Sequence, residues 1–133
     1  MKTTDRKKAI KNLDKIFSIF IRTRDNFTCI TCGKKGTNKT IDCGHYIGRQ
    51  HLRSRWDEKN CHAQCKYCNC YEEGNKGIYR VKLVERYGKD YVEIIEADKR
   101  KPFKVSTGDL IVLTMEYARK YENYLITNKR GIL

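Results

Sequence analysis

The chain has 133 residues, of which 39% are hydrophobic and 34% charged, with a net charge of +13. That length suits one domain, and that apolar content excludes a disordered polymer. The sequence contains no apolar run of transmembrane length, its opening MKTTDRKKAIKN lacks the apolar core of a signal peptide, and the charge favours a polyanionic partner, nucleic acid first.

Residues 5–22 read as a helix. Ala9, Ile10, Leu13, Ile16, Phe17, Phe20 and Ile21 recur at three- and four-residue steps, and Lys7, Lys8, Lys11 and Lys15 fall largely off that stripe. The stripe is expected to pack on the core, with a dimer seam as the alternative. Phe27 to Gly33 (FTCITCG) reads as a metal knuckle, with Gly33 free to take the positive φ that such turns need. Thr40 to Ile47 is a predicted short strand bearing Asp42, Cys43 and His45. Gly48 to Ser54 is a basic loop, and Arg55 to Asp57 is a candidate second strand anchored by Trp56. A second knuckle, Cys65 to Cys68, opens into a helix.

Gly74-Asn75 should restart that helix. Asn75 to Tyr87 is then helical by period, with Ile78, Val81, Val84 and Tyr87 facing inward and Gly88 as C-cap. For Asp90 to Ala97 helix is slightly favoured over strand. Lys99-Arg100-Lys101-Pro102 is a basic connector. Ser106 and Asp109 form a capping-box pattern that starts a last helix, with Leu110, Leu113, Tyr117, Tyr121, Tyr124 and Leu125 along one face. Residues 128–133 read as a frayed tail.

Seven cysteines without a secretory leader favour metal binding over disulfides. Cys29-x-x-Cys32 and Cys65-x-x-Cys68 form two pairs, the pattern of one tetrahedral thiolate site for structural Zn²⁺. Cys43, Cys61 and Cys70 are left over. Cys43 or Cys61 is free to replace one of the four ligands, to join His62 in a second site, or to serve as a small buried residue.

The insert between the two pairs resembles the HNH endonucleases, whose ββα-metal core sits between such zinc pairs. Asp42-Cys43-Gly44-His45, Asn60, and Cys68-Asn69 carry the resemblance, and the last of these is similar to the endonuclease VII type. The resemblance implies that His45 is the general base, Asn60 ties down the loop, and Asn69 helps hold a catalytic Mg²⁺ or Mn²⁺. Cys43 to Arg49 (CGHYIGR), Asn60 to Cys65 (NCHAQC), Gly74-Asn75 and Ile21 to Asp25 (IRTRD) look like the phage NinG/Rap recombination family, over roughly residues 15–90. That family implies an endonuclease acting on branched DNA such as a Holliday junction, in the cytoplasm of the phage's host.

One position departs from the HNH pattern. The Asp often found directly before the base is replaced by Gly44, and Asp42 lies two residues further back. In a strand Asp42 points away from the His45 face, so it reaches the same cation only through a bend or bulge. His62, His51 or water are the substitutes.

The expected fold is therefore α+β: a zinc-stapled, HNH-like ββα-metal core (26–75) between an N-terminal helix (1–25) and C-terminal helices (76–133). The expected function is metal-dependent DNA cleavage, with Arg49, Arg53, Arg55, Lys99, Arg100 and Lys101 as phosphate contacts. Tyr46 and Trp56 are candidates for stacking on an unpaired base, with core packing preferred for Trp56. No membrane contact is expected. A homodimer through a terminal helix would suit symmetric junction cutting. The alternatives are a non-catalytic zinc DNA-binding recombination accessory protein and, less well matched to the charge, a zinc-stabilised protein-interaction domain.

Overall fold

Helix α1 (Thr3–Arg24) forms because its apolar residues recur once per turn, and burial follows that stripe. Ala9, Leu13, Phe17, Phe20 and Ile21 are buried, while the lysines at 7, 8, 11 and 15 are exposed. The computed structural model describes residues 3–129, so the predicted tail beyond 129 lies outside the described residues. The partner of α1 is the last helix, α5 (Thr107–Lys129), which contributes buried Leu110 and Tyr117 to the same cluster. The Tyr117 ring stands edge-on to Phe17 at 4.9 Å. The chain thus uses the α1 stripe itself, and the stripe does not form a dimer seam. Full burial of a Leu or Phe contributes about 1.5–3 kcal/mol, so this pair of helices is the main apolar store of the fold.

Helix α5 starts where the sequence places it. Asp109 N–H donates to Ser106 Oγ (3.0 Å) and Ser106 N–H donates to an Asp109 carboxylate oxygen (2.9 Å), a reciprocal capping box. Its apolar face is shorter than expected, because Leu125 is exposed.

Strand β1 (Ile41–His45) pairs antiparallel with β2 (Cys61–Cys65) in unbroken register, Asp42 opposite Gln64 and His45 opposite Cys61. The second strand is thus not Arg55 to Asp57. Leu52–Arg55 is a single helical turn, α2, followed by Trp56. Trp56 is buried and donates its indole N–H to Asp14 (2.9 Å), as core packing predicts. All five β2 residues are buried, so β2 lacks the polar alternation that marks a half-exposed strand.

The outer edge of β2 is covered. Ala63 N–H donates to Asp25 Oδ2 (2.8 Å), Ile30 N–H donates to the Ala63 carbonyl (2.9 Å), and Arg24 donates to the Cys61 carbonyl (2.8 Å). The outer edge of β1 is left to line a cleft.

After β2 come a π-helical turn (Tyr67–Tyr71), α3 (Lys76–Tyr87) and α4 (Lys89–Asp98). Asn75 and Gly88 bound α3, and the stretch after Gly88 is helix. The inward face of α3 differs from the expected one. Tyr79 and Leu83 are fully buried against Ile30 and Val92, while Ile78 (46%) and Val81 (53%) are exposed. Val84 and Tyr87 pack at the margin as expected. The face turns toward Tyr79 because its hydroxyl reaches the Gly44 carbonyl (2.7 Å), a partner no aliphatic side chain can use.

Candidate functional site

The first knuckle closes through Gly33 N–H to the Cys29 carbonyl and Cys29 N–H to the Lys34 carbonyl, both 2.9 Å, with Gly33 at φ +80°. The second joins the end of β2 to the π-helical turn, where Cys68 N–H points at Cys65 Sγ (3.5 Å). Together they bring the thiols of Cys29, Cys32, Cys65 and Cys68 within 4.8 Å of one another. Four sulfur donors at that spacing can hold one zinc ion. Burial opposes ionisation of Cys29, yet the Thr31 hydroxyl (3.1 Å) and nearby backbone groups bring its thiol down to about 6. Burial and neighbouring thiols push Cys68 up. Crowded thiols cannot all ionise without a cation among them, and a metal supplies that charge.

Cys43 and Cys61 do not replace any of these four. They gather instead with His45 in a second cluster, their ligand atoms within 4.8 Å of one another. Cys70 is exposed beside Asp42.

A cleft of about 590 Å³ runs between α1 and the free edge of β1, and Asp14, Arg22, Asp42, His45, Arg49 and Asn69 line it. Asp42 and His45 share this cleft with no bulge in β1, because an edge strand offers both of its faces to the space beside it. Asp42 accepts hydrogen bonds from Asn69 Nδ2 (3.1 Å) and Lys66 Nζ (2.6 Å). Gly44 has a physical reason. A Cβ there would lie 2.8 Å from Gln64 Cβ, and the Gln64 amide is held by Gly74 O (2.7 Å) and Thr31 (3.3 Å). An Asp at 44 does not fit under Gln64.

His45 Nε2 lies 2.9 Å from the Arg55 carbonyl. A carbonyl only accepts, so Nε2 carries the proton. Burial, then the Arg49 and Arg55 guanidinium groups, bring the imidazole down to about 4 against the pull of that carbonyl and Asp14, so it is neutral at pH 7. Its Nδ1 lone pair is then available.

Asn60 is fully buried. Its Oδ1 accepts from Ile47 N–H (2.8 Å), and its Nδ2 donates to the carbonyls of Ile47 and Ser54 (3.0 Å each), tying down the loop between β1 and α2. His62 is placed away from the cleft. It is fully buried, with Nδ1 3.2 Å from Tyr79 Oη and Nε2 2.8 Å from Tyr87 Oη. Tyr79 gives its proton to Gly44 O, so His62 donates from Nδ1 and accepts at Nε2. Burial, then Arg24, lowers it to about 3. Both nitrogens being used, His62 offers nothing to a cation in the cleft. Tyr46 is likewise engaged, donating to Glu96, which also pairs with Arg80. It is not a free stacking platform.

Asp14 escaped the sequence reading. It accepts from Arg55 (2.5 and 3.1 Å), Arg49 (2.8 Å) and Trp56, so it orients two of the predicted phosphate contacts. The signal available was an acidic residue at the edge of the apolar stripe, among lysines. Burial works against its charge, but the Arg55 and Trp56 hydrogen bonds leave its carboxyl below the usual range. A depressed carboxyl contributes stability that is present above the unfolded pKa and lost as pH falls through the folded one. Asp14→Asn is therefore expected to flatten the loss of stability below about pH 4. Urea midpoints of both proteins between pH 3 and 7 measure it.

Arg53 donates to the Pro102 carbonyl (3.0 Å) and lies over Phe103, so the loop at 49–55 meets the connector Lys99-Arg100-Lys101 around one depression. Lys15 and Arg22 of α1 line the cleft itself. Among the described residues no helix is long and apolar enough to cross a membrane.

The family model described as bacteriophage lambda NinG protein matches residues 1–124. The chain belongs to the NinG family. It is similar to protein ninG of Salmonella phage P22, 36% identical over 116 residues, covering 86% of this chain and 56% of that protein. The ninG protein of Escherichia phage lambda is 37% identical over the same length and shares. That of Escherichia phage 933W is 38% identical over 94 residues, 69% of this chain and 46% of that protein. The chain thus spans about half the length of the curated relatives it matches. No solved structure matches it.

Proposed function

We propose that this chain is a metal-dependent DNA endonuclease of the HNH type, acting on branched DNA in phage recombination. The observation that carries the reading is the meeting of Asp42, His45 and Asn69 in one cleft beside Arg49. The Asp42 carboxylate and the Asn69 amide oxygen, after a half-turn of that amide, are hard oxygen donors that fit Mg²⁺ or Mn²⁺. Such an ion would stabilise charge developing on the scissile phosphate. Neutral His45, held by the Arg55 carbonyl, takes a proton at Nδ1 from the attacking water. Arg49, oriented by Asp14, binds a phosphate oxygen, and Arg22 and Lys15 hold the backbone along the cleft. Asn60 holds the Ile47 loop and the Ser54 carbonyl of α2, and so keeps the neighbouring Arg55 carbonyl in place. The four-cysteine cluster, filled by zinc, fixes the β1–β2 pair against the π-helical turn that bears Asn69.

One observation favours the accessory-protein reading instead. Lys66 already pairs with Asp42, where a divalent cation would sit. The pair is half-exposed, and exposed ion pairs contribute about 0–1 kcal/mol, so a divalent ion displaces Lys66 readily.

The test is cleavage of a labelled four-way junction beside linear duplex of the same length, with Mg²⁺ and with chelator. Cutting that needs Mg²⁺ and favours the junction is expected. Junction binding should also be tighter, with a steeper fall in log K against log salt, about 0.9 per extra phosphate contact. Neutralising Lys99, Arg100 and Lys101 together should shrink that difference. DNA binding without any cutting selects the accessory protein.

A further inference from the structure

We propose that Cys43, His45 and Cys61 form a second metal site, distinct from the four-cysteine cluster, that takes a thiophilic ion such as Zn²⁺ and is filled from the cleft. The site follows from register. His45 stands directly opposite Cys61, and Cys43 lies diagonally across on the same sheet face. Two sulfurs and an imidazole nitrogen converge there within 4.8 Å. Ligands about 2.0–2.3 Å from one zinc ion lie within that span of each other. Cys61 is fully buried, whereas Cys43 and His45 line the cleft, so an ion enters on that side and keeps a fourth position for water.

The backbone prepares the site. The Arg55 carbonyl takes the His45 Nε2 proton, which is how a liganding imidazole is usually held; it also accepts from the Cys61 thiol (3.5 Å), whose proton the incoming ion displaces to solvent. Charge is also matched. Two thiolates neutralise a divalent ion, and the two guanidinium groups nearby, Arg49 and Arg55, are paired with Asp14. Asp42 and Asn69 offer oxygen and Cys43 and Cys61 offer sulfur, so the cleft sorts hard from soft ions.

The consequence rests on the nuclease reading above. A soft ion at this site takes hold of the imidazole that serves as base, so zinc in excess of the structural ion blocks cleavage while Mg²⁺ supports it.

The binding claim is tested without any activity. Co²⁺ is added to zinc-loaded protein, because Co²⁺ binds a given site more weakly than Zn²⁺ and leaves the four-cysteine ion in place. One equivalent of Co²⁺ with a thiolate charge-transfer band and a tetrahedral ligand-field spectrum is expected. Cys43→Ala should lose that band and still contain one zinc per chain. Absence of the band in the parent, or its persistence in Cys43→Ala, overturns the site. The consequence is read as the ratio of cleavage rates with and without micromolar added Zn²⁺. That ratio should fall by about 10²-fold or more in the parent, the effect of losing a general base, and stay near one in Cys43→Ala. A Co²⁺ band with no nuclease activity retains the site and removes the nuclease. Nuclease activity indifferent to zinc in a protein that shows the band refutes the inhibitory role.

Discussion

Replacing His45 by alanine is expected to slow Mg²⁺-dependent junction cleavage by about 10²–10⁴-fold, the usual cost of removing a general base. The fold should hold, because the imidazole makes a single hydrogen bond, to the Arg55 carbonyl, and lies at the cleft wall rather than in an apolar cluster. DNA affinity should also hold, since the phosphate contacts proposed above belong to Arg22, Arg49 and Lys15. Single-turnover cleavage with saturating enzyme isolates the chemical step, and a junction gel shift gives affinity. Asn69→Ala should fail differently. It removes a proposed cation ligand, so raising Mg²⁺ or supplying Mn²⁺ should recover part of its rate, whereas His45→Ala should not respond. A His45→Ala protein that cuts at the parent rate would sink the HNH assignment.

What could be read from the sequence depended on whether one face of an element meets water. Helix α1 has such a face, so Leu13, Phe17 and Ile21 stood out against the lysines. The capping box at Ser106–Asp109 is local chemistry and needs no tertiary knowledge. The two CxxC knuckles are local as well, which is why the four thiols were found together. Strand β2 has no exposed face, so Cys61 to Cys65 shows no alternation, while Trp56 offers an apolar anchor that points instead to Arg55–Asp57. On α3, periodicity of the aliphatic residues points Ile78 and Val81 inward and passes over Tyr79, whose buried hydroxyl donates to the Gly44 carbonyl. Alternation along a strand correctly separates Asp42 from His45 by face. It does not say that β1 is an edge, and that topological fact puts both beside one cleft. The roles of Asp14, Gln64 and the Cys43–His45–Cys61 cluster depend on contacts between segments 16 to 42 residues apart, which no local pattern encodes.

Cys32→Ser is expected to unfold or aggregate the protein, and metal analysis of the parent is expected to return one tightly held zinc per chain from the four-cysteine cluster. Structural zinc binding is worth about 10–16 kcal/mol in small zinc-finger peptides at neutral pH. A whole domain is stable by about 5–15 kcal/mol, so weakening that site removes a decisive share. Cys32 is the informative position. Its thiol is exposed, so the substitution removes almost no apolar packing, whereas Cys29, Cys65 and Cys68 are buried and would confound metal loss with core damage. Cys70→Ser is the control. Cys70 is also exposed but lies outside the cluster, and its substitution should leave the urea midpoint unchanged. Chelation of the parent should reproduce the Cys32→Ser defect, and zinc should reverse it in the parent alone. The four residues staple the knuckle at 29–32 to the end of β2 and the π-helical turn, so loss of the ion also frees the segment that carries Asn69. A parent protein without zinc, or a Cys32→Ser protein as stable as Cys70→Ser, would show that the four thiols hold no structural ion.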